Sequence, residues 1–293
     1  MHKAGFVNIV GNPNVGKSTL MNALLGERIS IATFKAQTTR HRIMGIYNTP
    51  EMQIVFSDTP GVLKPMSKLQ ESMLDFSESA LVDADVLLYV TDVVEKQDKN
   101  GDFVKKVSGL KIPILVLINK IDLTNQQGLE QLVAQWTELL PGAEIIPISA
   151  SNKFNVDYVL KRVKELLPDS PPYFDKDQWT DKPARFFVSE IIREKILLYY
   201  DKEIPYSVEV VVEQFKESEQ KININAVIYV ERDSQKGIII GKGGRALKKV
   251  ATEARLSLER FFGKRIYLEV FVNVDKDWRS SDKELRNFGY QLV

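Results

Sequence analysis

The stretch FVNIVGNPNVGKSTLMNALLG, residues 6–26, runs three kinds of sequence together without a break. Its first five residues form a short, mostly apolar run suited to a buried strand. Gly11 then opens GNPNVGKS, in which four free positions separate one glycine from Gly-Lys-Ser. From Ser18 the pattern STLMNALLG reads as a helix closed by Gly26. Strand, glycine loop and helix N-terminus in direct succession make a cradle for phosphate, because loop N–H groups and the helix dipole both favour negative charge. In such a loop Lys17 would bridge the β- and γ-phosphates, and Ser18 would give its hydroxyl to Mg²⁺. A glycine turn of purely structural use is the competing reading, and the companions of this stretch decide between the two.

Two of them sit at the ends of strand-like runs. MQIVFSDTPG ends in DTPG (Asp58, Thr59, Pro60, Gly61), where Asp58 can hold Mg²⁺ through water and the Gly61 N–H can meet the γ-phosphate. IPILVLINKID, residues 112–122, ends in Asn119, Lys120, Ile121 and Asp122. There a carboxylate can accept two hydrogens from guanine, a pair that adenine does not offer, and a buried unpaired donor costs about 1–3 kcal/mol. VLLYVTD (Val86–Asp92) is a third continuous apolar run, and AEIIPISAS supplies a further strand. Runs of this kind suit parallel strands covered on both faces. With helical stretches between them, such as residues 129–140 and 156–167, they predict an α/β domain over residues 1–170 with its functional loops at the strand ends.

Three prolines within five residues (Pro168, Pro171, Pro172), then polar and charged residues, predict a linker over residues 171–181. A second domain over residues 182–293 reads as α-β-β-α-α-β, which does not repeat the first. Inside it lies GIIIGKGGRALKKV, residues 237–250, another glycine run holding a Gly-Lys pair. It fails as a second nucleotide loop: Gly243 follows the lysine where a hydroxyl is needed, and neither DxxG nor NKxD comes after it. What it offers is Gly241-Lys242-Gly243-Gly244 opening a helix, with Arg245, Lys248 and Lys249 beside it. Leu247, Val250, Ala251, Ala254, Leu258 and Phe261 give that helix a buried stripe. A small loop at a basic helix N-terminus can grip the backbone of single-stranded nucleic acid, with bases in a groove beside it. A merely solvated basic helix is the alternative.

Composition narrows the field further. The chain of 293 residues is 44% hydrophobic and 27% charged, an ordinary globular balance. It has no cysteine and two histidines, His2 and His41, so disulfides are excluded and a zinc centre built from His and Cys has almost nothing to work with. No run approaches 18 apolar residues, and the N-terminus enters a strand directly, so neither a spanning helix nor a targeting segment is expected. The net charge of +1 hides an asymmetry: residues 236–265 hold nine Lys or Arg against two acids.

The three nucleotide motifs in this order, with the basic glycine loop downstream, resemble the Era-type bacterial GTPases of the translation-factor-related class over nearly the whole chain. The second domain resembles a KH module of the second type. The resemblance implies a P-loop GTPase domain with a mostly parallel sheet, followed by a smaller α+β KH domain. It implies that GTP or GDP is held by Gly11, Asn12, Pro13, Asn14, Val15, Gly16, Lys17, Ser18 and Thr19, by Asp58, Thr59, Pro60, Gly61 and Val62, and by Asn119, Lys120 and Asp122. SAS (Ser149, Ala150, Ser151) matches the loop that closes over the guanine, and QTTRH, residues 37–41, occupies the first switch. A threonine there, Thr38 or Thr39 with Thr39 preferred, would join Ser18 and Asp58 at Mg²⁺, and Lys17, Thr39 and Gly61 would carry hydrolysis. Asn14 matches a position that coordinates K⁺ in related proteins. Arg40 and Arg42 are expected to face solvent or a partner rather than act as an arginine finger. Val62 stands where Ras-like proteins have a glutamine that orients water, so slow intrinsic turnover is expected. The implied partners are 16S rRNA near its 3′ end and the 30S subunit, held through Gly241, Lys242, Gly243, Gly244, Arg245, Lys248 and Lys249, by a cytoplasmic monomer acting in subunit assembly. The tail after the last strand would extend that surface, with Trp278 either stacked on a base or packed on the domain. The competing class is a GTPase of growth or cell-cycle signalling, with the basic surface attached peripherally to anionic lipid.

Overall fold

The computed structural model describes residues 2–95 and 100–290. The chain divides into two compact units, Met1–Met66 with Gln70–Asp181, and Lys182–Val293 with Ser67–Leu69.

The first unit is built on a six-stranded sheet in the order β2-β3-β1-β4-β5-β6. Its strands are β1 (Lys3–Gly11), β2 (Ile43–Thr49), β3 (Met52–Asp58), β4 (Val86–Asp92), β5 (Ile114–Asn119) and β6 (Glu144–Pro147). Helices α1 (Lys17–Leu25), α2 (Lys68–Val82), α3 (Gly101–Ser108), α4 (Gln126–Leu139) and α5 (Val156–Leu166) alternate with them. All seven residues of β4 are buried, as a central strand covered on both faces requires. Four pairings are parallel, and their register sets Ile9 beside Asp58 and Asp92 beside Asn119. The strand ends that carry the phosphate loop, DTPG and NKID therefore open on one edge of the sheet, where α/β folds bind ligands.

Two features depart from the sequence reading. β2, which no run had marked, forms an antiparallel hairpin with β3 through the turn at Pro50 and Glu51. The proline-rich residues 171–181, expected as a linker, instead lie along β2 and β3. The Ile46 N–H donates to the Trp179 carbonyl (2.9 Å), the Met44 N–H to Asp181 Oδ1 (2.8 Å), and the Thr180 hydroxyl to the Met44 carbonyl (2.7 Å). The buried Gln53 amide accepts from the N–H groups of Tyr173 and Phe174 and donates to the Phe174 carbonyl. An exposed strand edge invites pairing with other chains, and this segment covers it. Prolines suit the position because an edge covering needs few backbone donors.

The second unit contains α6 (Ala184–Tyr199), β7 (Glu209–Glu217), β8 (Lys221–Val230), α7 (Asp233–Ile240), α8 (Arg245–Phe262), β9 (Arg265–Val274) and α9 (Asp282–Asn287). Its sheet runs β7-β8-β9, with β7 antiparallel and β9 parallel to β8. The expected stripe of α8 is buried at Val250, Ala254 and Leu258, against Ile191, Ile196 and Ile228 among others. Trp278 is fully buried: its indole N–H donates to the Ser207 carbonyl (3.2 Å) and its ring meets Phe288 edge-on. Of its two readings, packing is the one observed. Tyr290, also buried, donates to Glu209 Oε2 (2.8 Å), so the tail is part of this unit's fold.

Candidate nucleotide site and nucleic-acid surface

Gly16 ends the phosphate loop in the left-handed region (φ 97°), and a Cβ on it would stand 2.3 Å from Asn119 Nδ2. Only glycine fits, for conformation and space alike. The next residue, Lys17, is buried and turns its ammonium back over the loop, donating to the carbonyls of Gly11 (3.0 Å) and Asn12 (2.7 Å). Burial pulls its pKa down to about 8, while the negative charges of Asp58 and Glu95 oppose the fall. Among the described residues no carboxylate forms an ion pair with this buried cation, an arrangement suited to an incoming phosphate.

Ser18, Thr39 and Asp58 converge beside it. The Ser18 hydroxyl donates to Asp58 Oδ2 (2.7 Å) and lies 2.9 Å from Thr39 Oγ1, which is itself 3.3 Å from the same carboxylate oxygen. Thr38 points elsewhere, with its hydroxyl on the Lys35 carbonyl (2.6 Å) and near Thr33 Oγ1. Asp58 Oδ1 is buried with no hydrogen-bond partner. Burial raises the pKa of this carboxyl, while the Ser18 hydroxyl, the Lys17 charge and the nearby Ser30 and Thr39 hydroxyls lower it. One carboxylate oxygen left open and two hydroxyls at hydrogen-bond distance form a hard, all-oxygen donor set of the kind Mg²⁺ takes, with room for water and phosphate. The residues fit the ion.

The NKID and SAS loops form a second cluster. Asn119 donates to the Val15 carbonyl (2.8 Å) and accepts from the Ala150 N–H (2.9 Å), tying the phosphate loop to SAS. Lys120, itself at φ 62°, reaches back to the Asn14 carbonyl (2.6 Å) and to Asp92 Oδ2 (2.5 Å). Ser149 donates to Asp122 Oδ1 (2.6 Å), orienting a carboxylate that is otherwise exposed, and Ser151 lies 3.4 Å from Ser149. Pro13, Lys17, Ser18, Thr19, Thr39 and Gly61 are among the residues that wall one cleft, and Asp122 and residues 149–151 stand outside that wall.

In the DTPG loop, Gly61 passes so close to Pro13 that a Cβ would meet its backbone at 2.6 Å. The Thr59 hydroxyl turns away to the Ile9 carbonyl (2.7 Å). Val62 is a core residue, packed with Val10, Leu81 and Phe103, and its N–H donates to the Gly11 carbonyl (3.1 Å). Asn100, which the sequence reading passed over, donates to the Val62 carbonyl (2.8 Å) and bonds the Asn12 side chain, so the start of α3 is joined to both loops. A lone polar residue before a helix carries no local mark of such a contact. The expectation for Arg40 and Arg42 is corrected. Arg40 is buried, and Arg42 bonds Ser57 Oγ (2.6 Å), Asn8 Oδ1 (3.2 Å) and, as an ion pair, Asp83 (2.9 Å). Charges so placed serve the fold.

In the second unit, Gly241, Gly243 and Gly244 all take positive φ (70°, 60° and 74°), folding the loop tightly between α7 and α8. Lys242, Arg245, Lys248 and Lys249 are exposed around it, and Lys249 Nζ stands 4.1 Å from the centroid of the Tyr199 ring. Among the described residues no three acidic or histidine side chains form a metal cluster.

A family model described as a 50S ribosome-binding GTPase matches residues 6–120, and a KH-domain model matches residues 203–279. The chain is 43% identical to the GTPase Era of Staphylococcus haemolyticus over 291 residues, covering 99% of this chain and 97% of that one. It is 45% identical to the GTPase Era of Geotalea daltonii over 290 residues, 98% of each. Among solved structures, Era in complex with MgGDPNP and nucleotides 1506–1542 of 16S ribosomal RNA matches with a TM-score of 0.95 at 39% identity, covering 100% of both chains. A variant of Aquifex aeolicus Era bound to GDP·AlF4⁻ matches with a TM-score of 0.94, again at 39% identity, over 99% of this chain and 100% of that one. Identity at this level from end to end, with the nucleotide loops in one unit and the glycine loop in the other, places the chain in the Era family of GTPases.

Proposed function

We propose that this chain is a GTP-controlled RNA-binding factor that binds 16S rRNA near its 3′ end and acts in assembly of the 30S ribosomal subunit in the cytoplasm. The observation that carries the reading is the end-to-end likeness to an Era holding both MgGDPNP and a 16S rRNA segment. This chain supplies side chains for both ligands: Lys17, Ser18, Thr39 and Asp58 in one unit, and the exposed basic residues around the 241–244 loop in the other. The family model named for the 50S subunit covers residues 6–120 alone, so it speaks for the nucleotide unit and not for the RNA.

In this reading Lys17 exchanges its two carbonyl acceptors for β- and γ-phosphate oxygens. Ser18 and Thr39 would hold Mg²⁺, with Asp58 supporting it through water, and the ion when bound would supply charge neutralisation at the phosphates. The Gly61 N–H faces the γ-phosphate, Asp122 takes the guanine donors, and Ala150 and its neighbours close over the base. Asn14, exposed at φ 66°, is the residue offered to a K⁺ ion. Val62 has no hydrogen-bonding side chain, so intrinsic turnover is slow until a bound ion or partner completes the site. Among the described residues no helix is long and apolar enough to cross a membrane.

The test is RNA cross-linking in cells, comparing wild type with a Lys242→Asp/Lys248→Asp variant. A single discrete site near the 16S 3′ end, lost in the variant, is the expected result. No enrichment over total RNA, with binding to anionic vesicles retained, would overturn it in favour of a lipid-attached GTPase.

A further inference from the structure

Helix α6 buries most of its length, yet its last residue, Tyr199, is 39% exposed. Its ring lies against Lys249, one turn into α8 from Arg245, with the ammonium 4.1 Å from the ring centroid. The neighbouring Tyr200 donates its hydroxyl to the Ile239 carbonyl (2.7 Å), two residues before Gly241. Together these contacts bring the end of α6 beside the end of α7 and the opening turn of α8, which are the two elements the 241–244 loop joins. An exposed aromatic ring therefore stands at the rim of a loop surrounded by Lys242, Arg245, Lys248 and Lys249. Basic charge interleaved with an aromatic face is how single strands are held without sequence readout, because every base has a π-face. A glycine loop of this kind clamps about four nucleotides, so a longer strand leaving it needs its next base supported.

We propose that Tyr199 is a stacking platform for an unpaired base of the strand gripped at residues 241–244, with Lys249 moving from the ring to the adjoining phosphate. The inference rests on the RNA-binding reading above and adds to it a residue outside the glycine loop and its helix. Lysine serves here as the resting cover: it shields the ring from water in the free protein and leaves for a phosphate without breaking an ion pair.

The test uses the full chain and a single-stranded RNA oligonucleotide of the 16S 3′-terminal sequence, with affinity read by fluorescence anisotropy. Tyr199→Leu keeps an apolar side chain but has no π-face, and Tyr199→Phe keeps the ring. We expect Tyr199→Leu to weaken binding roughly 5- to 150-fold, the equivalent of one stacked base, at an unchanged melting temperature and salt slope. Tyr199→Phe should bind within about twofold of wild type, since stacking needs the ring alone. Wild-type affinity in Tyr199→Leu, or equal losses in Leu and Phe, would overturn the stacking role. A Lys242→Asp/Lys248→Asp variant run alongside separates the two readings: if it binds as wild type does, the RNA surface itself is misplaced and both fall.

Discussion

Asp58 shares one oxygen between Ser18 and Thr39 and leaves the other buried and unbonded. A buried unpaired polar atom costs about 1–3 kcal/mol, so this carboxylate is held at a loss that an ion would repay. Asp58→Asn removes the charge at nearly constant shape. The ligand-free variant should melt at or slightly above the wild-type temperature, while the rise in melting temperature that MgGTP gives the wild type should largely disappear. Differential scanning fluorimetry with and without MgGTP checks both halves, and a full wild-type shift in the variant would remove Asp58 from the metal site. Val62 argues in the opposite sense, since its side chain is buried as part of a hydrophobic core cluster. Val62→Ala should cost about 2 kcal/mol of stability, from two lost methyl groups and the cavity they leave. Single-turnover GTP hydrolysis should stay within a few-fold of wild type, and a hundredfold loss at unchanged nucleotide affinity would defeat the view that Val62 positions nothing. Most of this site was legible because the phosphate loop, DTPG and NKID each occupy consecutive residues at a strand end. The preference for Thr39 over Thr38 came from the resemblance and not from the residues themselves, because one step along the chain reverses which side of an irregular loop a hydroxyl faces. Asn100 was invisible for a different reason: its partners, Asn12 and Val62, are 88 and 38 residues away.

The same limit acts on whole elements. β4 and β5 announce themselves as unbroken apolar runs because both of their faces are covered. β2 has a glycine, Gly45, within it and partly exposed residues along its length, so neither alternation nor a continuous run marks it. What fixes β2 is contact with distant segments: its pairing with β3, the covering residues 171–181, and Arg42 just before its first residue. Arg42 reaches from there to Ser57 on β3, Asn8 on β1 and Asp83 just beyond α2, so one side chain binds three segments to its own. Removing a hydrogen-bonded charge from such a place leaves its partners unsatisfied. Arg42→Ala should therefore destabilise the first unit by about 2–4 kcal/mol. Asp83→Ala should cost less, since Asp83 is half-exposed and water can replace it at the guanidinium. Urea unfolding followed by circular dichroism gives both values. An Arg42→Ala loss below about 0.5 kcal/mol, as for an ordinary surface position, would restore the solvent-facing reading that the sequence suggested.

Across the whole molecule a net charge of +1 conceals a segment, residues 236–265, with nine basic and two acidic residues. Composition alone treats those nine as equivalent, and the structure does not. Arg255 is paired with Glu259 in the second half of α8, and Lys264, just past its end, with Glu217, both away from the glycine loop. Lys242, Arg245, Lys248 and Lys249 stand exposed at the loop end. Nucleic-acid affinity falls with salt according to the number of phosphates neutralised, with a slope of about −0.7 per contact for a single strand. If all nine basic residues met phosphate, log K against log[salt] would fall with a slope of about −6; the four at the loop give about −3. The smaller slope is the expected one, amounting to roughly a fiftyfold loss of affinity between 50 and 200 mM salt. Lys242→Asp/Lys248→Asp should reduce the slope to about −1.4, while Lys264→Gln should leave it unchanged because Lys264 is already neutralised by Glu217. Anisotropy titrations at four or five salt concentrations measure each slope directly. A wild-type slope near −6, or a drop on Lys264→Gln, would mean that the strand runs the full length of α8 and that the ion pairs at its far end open to receive it.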